Sequence, residues 1–169
     1  PKGEVKALPR GATAVDFAYS VHTDIGHMCV GARVNGQMVP LRSQLKSGDI
    51  VEVVTAADHS PARDWLNFVT TTRARNRIKH FIHAKEKTRA VELGRKMLEK
   101  QIRHFDLKVK TVLDADVLES ACIDFGAQEI DDLLALVGYG KVSTRTLLEK
   151  LVPVNQLREP KKGAAIASA

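Results

Sequence analysis

Hydrophobic positions along this chain change period once. Up to residue 55, short apolar stretches alternate with polar residues and are separated by Gly, Pro and Asn. Beyond residue 60, apolar positions recur at helical spacing. Residues 4–8 alternate and predict a first strand, which Pro9-Arg10-Gly11 turns. Thr13 with Asp16 three residues on is a capping-box variant. Ala14, Phe17, Ala18, Val21 and Ile25 then define one apolar helix face. Residues 28–34 read as a strand with Val30, Ala32 and Val34 facing the core. Asn35-Gly36 signals a hairpin, because a type I′ turn needs positive φ at both central positions. A short return strand over 37–41 meets Pro40, Ser47-Gly48-Asp49 turns again, and 50–55 closes the sheet. Residues 1–58 are thus expected to form an α+β grasp, with Gly26-His27 on a loop at one corner.

From residue 59 the pattern is all-helical. Ser60-Pro61 caps a short helix around Asp64-Trp65-Leu66, and Thr70-Thr71-Thr72 offers fresh caps. Little but Gly94 interrupts a helix over 73–105. Ile78, Phe81 and Ile82 mark one apolar face, and Val91, Gly94, Leu98, Ile102 and Phe105 mark another. Helices over 116–125 and 129–137 end at Gly126 and at Gly138 and Gly140, both read as C-cap and connection glycines. Ser143 caps a last helix. The organisation expected is a grasp domain at 1–58, a helical domain at 59–155 and a disordered tail at 156–169.

Charge is placed unevenly. The chain carries a net +6, yet residues 59–104 hold twelve basic and four acidic residues, while 1–58 balance. A basic middle between neutral ends suits a phosphate-bearing partner; the competing reading is a solvated helix face. No apolar run reaches the roughly 18 residues of a membrane span, and no signal peptide is visible. Cys29 and Cys122 lack CxxC spacing, so a reducing cytoplasm without structural disulfides is expected.

A loop histidine such as His27 can hydrogen-bond a ribose or phosphate or stack on a splayed base. His22, at the end of the first helix, suits a capping or packing role. Cys29 suits a buried small hydrophobe. His22, His27 and Cys29 lack a fourth ligand, so no metal is expected. Arg73, Arg75, Arg77 and Lys79 form a basic run facing either RNA phosphates or a neighbouring domain. Trp65 is expected to plug the junction of the two domains. No paired carboxylates, nucleophile–base set or P-loop is present, so no catalytic machinery and no cofactor are expected in this chain.

Asp16-Phe17-Ala18-Tyr19, His22, Gly26-His27-Met28-Cys29 and Leu45-Lys46-Ser47-Gly48-Asp49 resemble the TGS domain of long RelA/SpoT-type proteins. Arg63-Asp64-Trp65-Leu66 and the run from Thr72 to Ile78 resemble its junction with the family's helical domain. The resemblance implies a ubiquitin-like β-grasp followed by an all-α domain. It implies the regulatory part of a stringent-response (p)ppGpp synthetase/hydrolase, whose catalytic domains lie outside this sequence. The partners it implies are deacylated tRNA, read at its 3′ CCA end by His27 on a stalled ribosome, ribosomal RNA, and the parent's catalytic domains; neither membrane nor DNA is implied. One departure is Gln37, where the family often has a basic residue. The alternative function is a protein-interaction module.

Overall fold

The computed structural model describes residues 3–158, with a small sheet followed by helices alone. Thr13 starts α1 (Ala14–Val21) through the expected capping box with Asp16. The first helix ends at His22, as expected, and Ile25 of the same apolar series falls in a second helix. His22 has an extended backbone that ends α1, and its Nδ1 accepts from the Asp24 N–H, 3.2 Å away, to start α2 (Thr23–Met28). The capping role read for His22 is therefore the one it has. His27 lies in the last turn of α2, not on a loop.

The sheet is antiparallel, ordered β2-β1-β3, from β1 (Cys29–Val34), β2 (Gln37–Val39) and β3 (Val51–Thr55). Asn35 and Gly36 take φ of 52° and 84°, so the hairpin forms as the Asn-Gly pair dictates. Two strand expectations are corrected. Val30 faces outward, because a bulge between Cys29 and Gly31 shifts the alternation by one. Residues 4–8 form no strand. Alternation permits an extended backbone, but pairing needs a neighbour. Here an open cleft of about 1380 Å³ separates residues 3–12 from β3, with Phe17, Val21 and Ile25 lining it.

The first core joins Val15, Ala18, Tyr19 and Cys29 to Trp65, Val69, Ala74 and Ile78. Trp65 thus packs into the grasp core, stacked on His59 at 5.6 Å. A 3₁₀ turn, Arg63–Asn67, leads to α3 (Thr72–His104). The start of α3 is tied to the grasp through one carboxylate. Buried Asp16 accepts from the N–H and hydroxyl of Thr13. It also accepts from the N–H groups of Thr70 and Thr71 and from the Thr71 hydroxyl at 2.7 Å. The Thr71 Oγ in turn accepts from the Ala74 N–H. Asp16 therefore serves two helix starts at once.

The chain divides into two compact units within α3, between Lys85 and Glu86. The second comprises the rest of α3 with α4 (Val109–Val112), α5 (Ala115–Phe125), α6 (Ile130–Gly138) and α7 (Thr144–Leu151). Its core holds Leu98, Ile102, Leu118, Leu133, Leu134, Val137, Leu147 and Leu148. Gly126 ends α5 at φ 67°. Gly138 is not the expected C-cap but the last residue of α6. A Cβ there would collide with the Ala90 backbone, and a Cβ on Gly94 would collide with the Leu134 carbonyl. Two helices thus cross backbone to backbone over a pair of glycines. Two residues of the expected tail are placed in the helical unit. Gln156 belongs to a 3₁₀ turn, and Leu157 is buried in the helical core; residues 159–169 lie outside the described ones.

Candidate nucleic-acid interface

Three ring-bearing side chains meet at the end of α2. Tyr19, fully buried on α1, packs its ring over Gly26, where any side chain would strike the phenol. Its hydroxyl lies 2.9 Å from His27 Nδ1. The half-buried His27 ring leans against Phe81 of α3, centroids 4.8 Å apart. Burial, then the nearby Cys29, pushes the Tyr19 phenol up, so it keeps its proton. Burial holds His27 below its ordinary value. Asp24 opposes this, while Arg77 and His80 add to it. The imidazole is therefore neutral near pH 7. Nε2 has no protein partner among the described residues; it donates when the phenol donates to Nδ1 and accepts when Nδ1 carries the hydrogen. The corner presents one uncharged ring nitrogen of fixed direction.

The basic run divides by position. Arg75 turns inward and donates to the Leu66 and Val69 carbonyls, so it holds the 3₁₀ turn against α3. Arg73, Arg77 and Lys79 are exposed. Cys29 is free and buried, and burial pushes its thiol up to about 11, which makes it inert near neutrality. Among the described residues no helix is long and apolar enough to cross a membrane.

Residues 1–55 match the family described as TGS domain, and residues 81–152 match the RelA/SpoT AH domain. The chain is 44% identical over 163 residues to a GTP pyrophosphokinase of Myxococcus xanthus, covering 96% of this chain and 22% of that protein. It is 42% identical over 159 residues to a probable guanosine-3′,5′-bis(diphosphate) 3′-pyrophosphohydrolase of Synechocystis, covering 94% and 20%. It is 35% identical over 154 residues to the bifunctional (p)ppGpp synthase/hydrolase RelA of Mycobacterium tuberculosis, covering 90% and 21%. The chain is the TGS and helical region of a RelA/SpoT-type protein. It spans about a fifth of the length of these RelA/SpoT relatives.

In this TGS domain the sequence singles out His27 but not the residues that hold it. Tyr19 sat inside a motif, and Phe81 read as one more apolar position beside Ile78 and Ile82. The only available signal was that Tyr19 and His27 are eight residues apart across a glycine. A buried imidazole resists protonation, so the folded state binds fewer protons than the unfolded chain below the ordinary histidine value of about 6.5. This histidine's contribution to stability is therefore intact above that value and falls as pH drops towards its depressed folded value. Urea unfolding of wild type and His27→Gln at pH 7.5 and 5.5 tests this. Wild type is expected to lose ground relative to the variant at the lower pH; a constant difference would show that His27 titrates normally.

Proposed function

We propose that this region reads the 3′ CCA end of deacylated tRNA on a stalled ribosome through His27. It relays that state to catalytic domains of a (p)ppGpp synthetase/hydrolase outside this chain, and ribosomal RNA supplies the second surface. The observation that carries this reading is the neutral His27, tied inward through Nδ1, with Nε2 left to a partner beside exposed Arg77. Such a nitrogen suits a terminal ribose hydroxyl, which can donate to it or accept from it. Esterification by an amino acid enlarges that end and removes a hydroxyl, so a close-fitting site rejects it through sterics and an unmet hydrogen bond. The relatives' names, GTP pyrophosphokinase, probable guanosine-3′,5′-bis(diphosphate) 3′-pyrophosphohydrolase and bifunctional (p)ppGpp synthase/hydrolase, support such an activity for the parent protein.

The test is His27→Ala on ribosomes carrying deacylated or aminoacylated tRNA. The variant is expected to lose about 1–3 kcal/mol of the preference for the deacylated form, with a hydrogen bond and a stacked ring both gone. A second reading, docking of a partner protein or the parent's catalytic domains, is favoured by the outer edge of β3. That edge has no strand partner among the described residues and lies beside the open cleft, and such edges accept extended peptides. Full discrimination by a folded His27→Ala variant would decide for the second reading.

A further inference from the structure

We propose that Phe81 and Arg77, one turn apart on α3, complete the His27 site: Phe81 is the surface on which the terminal base stacks, and Arg77 takes the adjoining phosphate. The site is then built jointly by the TGS domain and by a helix beyond the matched TGS residues 1–55. The inference rests on the reading of His27 given above.

Three observations carry it. The Phe81 ring is half-buried and already touches His27, so a base laid on it lies within reach of the imidazole Nε2. Aromatic faces accept any base, and a single-stranded end has bases free to stack. Arg77 precedes Phe81 by four residues, which places it within about 40° on the helix surface at 3.6 residues per turn. Lys79 precedes Phe81 by two and lies about 160° away by the same geometry. Arg77 is exposed, and no ion pair claims it among the described residues, whereas Arg75 is committed to the Leu66 and Val69 carbonyls. Its planar fork matches phosphate oxygens. A terminal nucleotide offers the three features to be met: a π face, ribose oxygens and a phosphate.

The experiment is fluorescence anisotropy of the whole chain with a labelled RNA hairpin ending in CCA, and with the same hairpin lacking the terminal adenosine. Phe81→Leu keeps an apolar contact for His27 but removes the π face. It is expected to weaken binding to the CCA hairpin about tenfold and to abolish the advantage of CCA over CC. Phe81→Trp is expected to retain both, which guards against a mere packing defect. Arg77→Gln is expected to lower the slope of log affinity against log salt by about one, and Lys79→Gln to leave it unchanged. If His27→Ala weakens CCA binding but Phe81→Leu and Arg77→Gln do not, this inference is overturned and the reading of His27 stands. If Lys79→Gln matches Arg77→Gln, the phosphate role of Arg77 is overturned. If His27→Ala also changes nothing, the reading of the site itself is overturned.

Discussion

Gly94→Ala is expected to destabilise the helical domain strongly, although alanine is the better helix former. Propensity alone favours the substitution by about 1 kcal/mol. The added methyl, however, would sit against the Leu134 carbonyl and close to the Gly138 nitrogen, and backbone cannot swing aside as a side chain can. Overpacking against mobile side chains costs about 1–3 kcal/mol, and a backbone obstacle puts this case at or above the upper end. A net loss of about 2 kcal/mol or more is expected in urea unfolding. Gly138→Ala, which strikes the Ala90 backbone from the other helix, should behave alike. A stability gain from either would mean that the helices separate at no cost and that the crossing is not close.

Removing the Asp16 carboxylate should be equally damaging to the first unit. Asp16→Ala leaves the buried Thr13 N–H without its acceptor, along with the N–H groups of Thr70 and Thr71 at the partly exposed start of α3. An orphaned buried donor costs about 1–3 kcal/mol and a partly exposed one less, because water reaches it, so a total of about 2–4 kcal/mol is expected. Asp16→Asn is nearly isosteric, but its NH₂ would face donors instead of accepting from them. It should recover only part of the loss. If asparagine proves as stable as aspartate by chemical denaturation, then shape and not acceptor capacity is what matters there.

Much of this architecture was legible because it is local. Thr13 and Asp16, Asn35-Gly36, Ser143 and Gly126 each fix their element through neighbours a few residues away, and all hold in the structure. What was not legible depends on residues far apart in sequence. The alternation of residues 4–8 says nothing about whether a ladder partner comes within reach. A bulge at Cys29 inverts the face of Val30 without leaving a mark in the apolar pattern. Arg75 and Arg77 look alike as sequence, yet only one has carbonyls to serve. Gly26 and Gly138 read as turn residues. Their lack of a side chain instead admits the Tyr19 ring in one case and the Ala90 backbone in the other.

The double duty of Asp16 also bears on the order of assembly. The first turn of α3 has no acidic residue of its own and opens with arginines, so alone it starts against its dipole. The anion that offsets this comes from 55 residues earlier in the chain. Closing a loop of that length costs about 3–4 kcal/mol of chain entropy, recovered only once α1 is already in place to present the carboxylate. The start of the long helix is therefore expected to order late, after the domain synthesised before it. During translation, the N-terminal grasp would act as a template for the helix that follows.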